Sequence, residues 1–325
     1  MGKMHVPRKG SLQFWPRKRA ARHVPSVNWN CLNGKKVESK NGLLGFIGYK
    51  VGMATVVAKD TTNNSMTKGK TIVVPITLVE CPPMKILSVR FYKHGKTATE
   101  VLSSTLDKEL RRKIKMPKTF KKIEEMEGRL NEFTDLRLVA YSLVKKTQLK
   151  KASDIIEIAL VGDLKQKFDV AKNLMDKEIN VDDVFAKGQL LDVHAVTKGK
   201  GLQGPVKRFG LNFKQHKSEK GVRRPGSLGP WHPARVTFRA PQAGQVGFFT
   251  RVQYNNKILE VGKEISEIKG EKARREWHNY GFINSPYCLI KGSLIGPQKR
   301  ALVLTAASRA TKTAAKENLE VVELI

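Results

Sequence analysis

Acidic residues are scarce in this chain. Its 325 residues hold 29 Asp and Glu against 61 Lys and Arg, a formal net charge of +32. Such an excess repels itself in a compact state unless a polyanion neutralises it, which leaves nucleic acid or an anionic membrane surface as partner. Cysteine is scarce too. Cys31, Cys81 and Cys288 are widely spaced and odd in number, with no CxxC, so neither a disulfide framework nor a zinc knuckle is supported. Reduced thiols of a cytosolic protein are expected. No long hydrophobic run exists. The most apolar stretch, Leu43 to Ala58, is interrupted by Lys50, whereas a spanning helix needs about 20 apolar residues. The N-terminus lacks an apolar signal region, and His5 and Val6 follow Gly2 where a myristoylation signal wants Ser or Thr. No membrane association is expected. Catalytic motifs are missing as well: no HExxH, GxSxG, Walker loop or kinase loop occurs. His5, His23, His94, His194, His216, His232 and His278 show no metal spacing. His194 alternates with Val193 and Ala195 as a structural histidine in a strand would. No cofactor, no metal and no catalysis are expected.

Hydrophobic residues, at 40%, suffice for a core in one to three domains. Residues 1–40 carry ten Lys/Arg and a single acid, Glu38, with Pro7, Pro16 and Pro25 and little apolar period. They read as an extended basic tail, disordered alone in water. From Asn41, short strands separated by Gly and Pro suggest a barrel: Gly45, Gly48 and Gly52 in a bent strand, Ile72 to Val79, and Lys85 to Tyr92 after Pro82-Pro83. Residues 103–185 hold fifteen of the 29 acids and are nearly charge-balanced. Here Asp163 is the expected N-cap of a helix with Leu164, Phe168, Ala171, Leu174 and Met175 on one face. Phe120 to Phe133 is a second expected helix, and Leu136 to Val144 and Ile155 to Val161 are expected strands. This is a small α/β insertion facing solvent. Strand character returns at Leu190 to Val196. A basic arm, Lys198 to Arg251, follows, with twelve Lys/Arg and one acid, Glu219. A hairpin is expected after it, turning at Asn255-Asn256. Gly281 to Gly296 and Ala301 to Ala306 are expected closing strands. No internal repeat is present. The fold class is therefore mainly β with an α/β insertion.

Three constellations carry chemistry. Gly199-Lys-Gly-Leu-Gln-Gly204 matches GxGxxG, and Glu219 lies about where a ribose contact would. Pro205 follows at once, however, and no apolar helix or second strand of a βαβ unit is expected. Glycines that admit close phosphate approach, with Lys198, Lys200, Lys207 and Arg208 to neutralise charge, fit better than a dinucleotide site; a flexible loop is the bland reading. In the second, Lys214 to Arg224 precedes Pro225-Gly-Ser-Leu-Gly-Pro-Trp-His-Pro-Ala-Arg235. Pro230 and Pro233 stiffen the chain around Trp231, whose indole can stack on an unpaired base for ~1–3 kcal/mol. The alternative is a Trp folded back into a core. The third, Ser11-Leu-Gln-Phe-Trp-Pro-Arg-Lys-Arg19, interleaves aromatics with cations. An import-like signal or a solubilising tail is its alternative.

These residues resemble the universal large-subunit ribosomal protein three, in its archaeal/eukaryotic form. The matching segments are Ser11 to Arg19, Gly45-Phe-Ile-Gly-Tyr-Lys-Val-Gly-Met53, Val79-Glu-Cys-Pro-Pro-Met84, Asp192 to Gly210 and Gly229-Pro-Trp-His-Pro-Ala-Arg235. The resemblance implies a translation-protein-type β-barrel split by the insertion: tail 1–40, barrel 41–102, insertion 103–185, barrel 186–325. It implies a finger, about 198–251, that penetrates large-subunit rRNA (23S/28S class) and ends at Trp231 near the peptidyl transferase centre and the aminoacyl-tRNA entry. It implies support of early subunit assembly without chemistry, neighbours such as large-subunit proteins number fourteen and the twenty-four-e type, and a place on the cytoplasmic ribosome, not a homo-oligomer. The expected rRNA contacts are Arg8, Lys9, Phe14, Trp15, Arg17, Lys18, Arg19 and Arg22 in the tail. In the arm they are Lys198, Lys200, Lys207, Arg208, Lys214, Lys217, Lys220, Arg223, Arg224, Trp231, His232, Arg235, Arg239 and Arg251. Eukaryotic relatives modify a histidine of this arm, but Glu219 lies near that point, so the modification is not carried to His216. The long C-terminal extension of eukaryotic members is lacking, which points to an archaeal or compact relative. A DNA-associated architectural protein shares the charge argument, and an NAD- or RNA-modifying enzyme is the third class.

Overall fold

A computed structural model describes residues 10–32, 39–270, 273 and 275–325. In chain order the strands are β1 Gly45–Asp60, β2 Thr71–Glu80, β3 Met84–Lys93, β4 Lys96–Leu102, β5 Asp135–Ser142, β6 Ile155–Ala159, β7 Leu190–Val196, β8 Leu202–Gln203, β9 Gly244–Gln245, β10 Thr250–Gly262, β11 Tyr287–Lys291, β12 Ala301–Ala306 and β13 Leu319–Leu324. The α-helices are α1 Leu164–Leu174, α2 Pro205–Phe209 and α3 Lys312–Lys316.

Six strands close into a ring in the order β12, β7, β10, β11, β2, β1, with β1 pairing back to β12. The sixteen residues of β1 are long enough to serve three neighbours. Its first part pairs β12, from Gly45↔Thr305 to Tyr49↔Ala301. Its last part pairs β13, and β2 runs beside it from Tyr49↔Glu80 to Lys59↔Thr71 with a register slip between Lys50 and Gly52. Closure removes the unpaired strand edges that would otherwise template aggregation. The barrel expected from the short Gly- and Pro-punctuated strands is thus present, within a mainly β fold of antiparallel sheets.

A second antiparallel sheet runs β4, β3, β5, β6. It starts at Met84, so Lys85 to Tyr92, read from the sequence with the first barrel segment, pairs instead with β5. A strand's composition says that it pairs but not with which sheet. α1 lies over β5 and begins with the expected cap: the Asp163 carboxylate accepts from the third helical N–H and Gln166 reaches back. Phe168, Ala171 and Leu174 are buried, as the 3.6-residue period requires. Phe168 meets Phe91 at 6.4 Å between ring centroids, and Phe133 meets Phe91 at 5.0 Å. The segment expected as a second α-helix forms 3-10 turns over Ile123–Glu132, with Met126 and Leu130 inward. Gly128 in its middle costs an α-helix about 1 kcal/mol relative to Ala, which weakens the α form.

Two further expectations are corrected. Asn255-Asn256 is not a hairpin turn: β10 runs through it as one strand. Asn255 takes φ 57, and its N–H donates to the Asp192 carboxylate at 2.9 Å while Asn256 Nδ2 donates to Leu191 O at 3.4 Å. The left-handed residue kinks the strand and a buried carboxylate holds the kink, so the local turn signal was real but its consequence was not a reversal. The tail, too, does not stay extended to residue 40. Trp29 is only 2% exposed, and its Nε1–H donates to Glu157 O at 3.0 Å. Its ring fills the space over Gly45, where a Cβ would lie 2.6 Å from it. Burying an indole offsets the ordering cost of a polar segment.

His194 behaves as expected: Nε2 lies 3.2 Å from Thr305 Oγ1, and burial pulls its pKa down, keeping it neutral. Cys81 and Cys288 are buried thiols whose pKa burial pushes up, and Cys31 is an exposed thiol. No helix among the described residues is long and apolar enough to cross a membrane.

Candidate nucleic-acid interface

The chain divides into two compact units, residues 1–22 with 196–250, and residues 23–195 with 251–325. The basic arm and the start of the tail therefore belong together. The single acid of that unit is Glu219.

Its stem is an antiparallel ladder. Leu202 pairs with Gln245 and Gln203 with Gly244. Lys200 N–H donates to Val246 O, Val246 N–H to Gly201 O and Thr197 N–H to Phe249 O, each at 2.9 Å. Ala20 N–H donates to Phe248 O at 2.9 Å, which ties the tail segment to the same ladder. The glycine-rich motif is thus strand and turn. A helix does follow it, against expectation: α2 starts at Pro205, where proline's fixed φ suits the first helical position, and Gly210 at φ 65 ends it. It is five residues long, and β8 pairs antiparallel with β9. A dinucleotide site needs a parallel βαβ unit with a full helix, so the GxGxxG match has no such meaning here.

Above the stem, an aromatic and guanidinium cluster joins the two segments. The rings of Trp15 and Phe209 stack with centroids 5.9 Å apart, and Phe238 meets Trp15 edge-on at 5.6 Å. Arg17 lies over Phe209 at 4.7 Å and over Trp15 at 5.5 Å; Arg208 lies 5.2 and 5.7 Å from the same two rings. Arg17 Nη1 donates to Arg208 O at 3.0 Å, and Arg208 donates to Gln245 O and Gln242 O. Burial, with the Arg17 charge beside it, pulls the Arg208 pKa below the usual guanidinium value, though it stays charged. Gly10 closes the cluster at φ 77, and a Cβ there would lie 2.5 Å from Phe209. Trp15, Arg17 and Arg208, singled out from the sequence as RNA contacts, are therefore held by protein partners.

Sequence reasoning missed Phe209 and Phe238. The signal was an aromatic next to an arginine, as in Arg208-Phe209 and Phe238-Arg239. Arg239 lies 5.8 Å over Phe238, and Arg223 lies 4.8 Å over Phe213.

Most of the other expected residues face outward. Phe14, Lys18, Arg19, Arg22, Lys198, Lys200, Lys207, Lys214, Lys217, Lys220, Arg223, Arg224, His232, Arg235 and Arg239 are exposed, and Arg251 is half-buried. Arg8 and Lys9 lie outside the described residues. Trp231 is 88% exposed, so it is not folded back into a core. A loop closed by Lys214 N–H donating to Val222 O at 3.0 Å carries His216, Lys217, Glu219 and Lys220. Among the described residues, no group of three or more His, Cys, Asp and Glu could hold a metal ion. What the arrangement offers is exposed cations, which neutralise phosphates, and an exposed indole, which stacks on bases.

The family model described as "Ribosomal protein L3" matches residues 1–324. The large ribosomal subunit protein uL3 of Methanosphaera stadtmanae is 40% identical over 322 residues, covering 95% of this chain and 94% of the relative. That of Archaeoglobus fulgidus is likewise 40% identical over 322 residues with the same coverage. That of Methanococcoides burtonii is 38% identical over 327 residues, again covering 95% and 94%. A match spanning the chain, on top of a closed antiparallel barrel and a basic arm, shows that this chain belongs to the ribosomal protein L3 family.

Proposed function

We propose that this chain is a structural constituent of the large subunit of the cytoplasmic ribosome, bound to large-subunit rRNA and without catalysis of its own. The observation that carries this reading is the arm. Exposed Trp231 follows a run of exposed Lys and Arg in a unit whose single acid is Glu219. Phosphates of folded rRNA neutralise those cations, and the indole stacks on or wedges between bases. In this reading the finger reaches the neighbourhood of the peptidyl transferase centre and aminoacyl-tRNA entry and supports early subunit assembly. Neighbours are large-subunit proteins such as number fourteen and the twenty-four-e type. Trp15, Arg17 and Arg208 contribute by holding tail and finger together, and their outer faces remain available to RNA.

The test is binding of the purified chain to large-subunit rRNA across a salt series. With about ten phosphates neutralised, log affinity falls against log salt with a slope near −7 to −9. In a sucrose gradient the chain tracks the large subunit and leaves it only in high salt. Salt-independent binding, or sedimentation with DNA instead, would rule the reading out.

A further inference from the structure

The outer face of the barrel at β1, β2 and β13 breaks the alternation expected of a wet sheet. Ala54, Val56, Ala58, Val74, Ile76 and Leu324 are buried together on the inner side. An antiparallel sheet facing water turns polar side chains outward at the positions between. Here those positions hold Met53, Val57, Val73 and Pro75. Val73 is 67% exposed and Met53 52%. Val322, at the bulge where β13 pairs with β1, is 49% exposed, and Ile325, just past β13, is 51% exposed.

Strand register makes these residues one patch, because directly opposed residues of an antiparallel pair share a face. Val57 lies opposite Val73 on one side and Glu323 on the other. Thr55 lies opposite Pro75 and exchanges N–H···O bonds of 3.2 and 2.8 Å with Ile325. Pro75, Val73, Val57 and Ile325 therefore stand side by side across three strands. The face, not the strand edge, is what stays open: Leu324 N–H already donates to Lys269 O at 2.8 Å.

The charge here also departs from that of the chain. Exposed Glu323 stands beside Val57, and exposed Glu320 stands opposite Lys59. A phosphate backbone wants cations, whereas this face offers one lysine, two carboxylates and an apolar centre. An apolar centre with a polar rim is the anatomy of a protein interface. A second copy of this chain fits poorly. A two-fold contact would bring the same carboxylates together, and two chains of +32 repel each other.

We propose that this face docks a basic protein, whose apolar side chains cover Val57, Val73, Pro75 and Ile325 and whose Lys or Arg side chains meet Glu320 and Glu323. Burial of the apolar centre holds such a contact, and complementary charge fixes its register and excludes acidic partners. It rests on the large-subunit reading, since the partner is sought in that particle.

The test puts a photo-crosslinker on the rim of the face. Thr71 is exposed and lies opposite Lys59. Thr71→Cys, in a chain that also carries Cys31→Ser, takes a benzophenone maleimide while the buried Cys81 and Cys288 stay unlabelled. The full labelled chain is assembled into large subunits, which are purified on a sucrose gradient and illuminated. The expected product survives RNase and contains one polypeptide with an excess of Lys and Arg, identified by mass spectrometry. Lys96→Cys, labelled likewise on the exposed part of β4, should not give it. Glu320→Lys with Glu323→Lys should lower the yield about tenfold, because like charges then meet. If that pair fails to fold, Glu320→Gln with Glu323→Gln serves, with a smaller fall. Crosslinking to rRNA, to a second copy or to no polymer overturns the proposal. So does an equal yield from Lys96→Cys, or a yield that the folded charge variants leave unchanged. Failure of the unaltered chain to enter the large subunit is a different outcome: it sinks the parent reading and this one with it.

Discussion

The indole of Trp15 lies stacked on the ring of Phe209, 5.9 Å between centroids with 23° between planes, although the two are 194 residues apart in the chain. Arg17 and Arg208 cover the same two rings. The cluster is what makes the tail segment and the finger stem one unit.

Phe209→Ala should therefore loosen residues 10–22 from the stem. Truncating a buried aromatic costs about 3–5 kcal/mol where its neighbours cannot collapse, and somewhat less in this partly open cluster. Hydrogen exchange should show protection lost at Ala20 N–H, while amides of the barrel strands keep theirs. Unchanged protection at Ala20 would show that the ladder bond alone holds the segment.

Trp29→Ala should act on the other unit. The side chain is buried and its Nε1–H reaches Glu157 O, so about 3–5 kcal/mol of stability is expected to go. Trp29→Phe keeps part of the burial and should lose less. Urea unfolding of the two variants measures both; equal, small losses would mean that the segment before β1 is not part of the core.

Trp231→Ala should leave folding alone. An exposed side chain contributes within about 0.5 kcal/mol. Urea unfolding should match the unaltered chain, whereas subunit assembly or tRNA accommodation should change. A loss of more than about 2 kcal/mol would show that the indole has a folding role after all.

Glu80 gives a pH dependence. Its carboxylate accepts from the Tyr280 hydroxyl at 2.5 Å and from Asn284 and Ser285 N–H at 2.9 Å. Burial pushes its pKa above the ordinary value, against the lowering effect of those bonds. A raised folded-state pKa means the folded protein holds its proton more tightly than the unfolded one. The stability gained is present below the unfolded value, about pH 4, and is lost as pH rises through the folded one. Glu80→Gln keeps an oxygen for the two N–H groups and offers an N–H to the Tyr280 oxygen. It should flatten this part of the stability–pH curve. A variant curve falling as steeply as wild type above about pH 4 would assign the effect to another group.

Much of the fold was legible locally. Asp163 as an N-cap, with Leu164, Phe168, Ala171, Leu174 and Met175 on one face, announced α1, and the alternation of His194 with Val193 and Ala195 announced β7. Failures came where a local signal met a distant partner. Asn255 carried a turn residue's preference, but Asp192 from another strand converted it into a kink. Of the candidate site, the exposed lysines and Trp231 were legible because nothing nearby could bury them. Trp15, Arg17 and Arg208 were not, since their composition suits RNA and protein partners alike.

The sequence by itself determined where the charge goes: acids into residues 103–185, cations into tail and arm, and enough β-branched runs to build strands. Charge and propensity are properties of single segments, so they survive without the fold. Tertiary structure alone decided that β1 closes the ring by pairing β12, that Trp29 and Trp15 turn inward while Trp231 stays out, and that two of the arginines are held by the protein's own rings. Those outcomes depend on groups far apart along the chain, 128 residues for Trp29 and Glu157 and 191 for Arg17 and Arg208. Packing selects such partners from the whole molecule, and no local pattern names them.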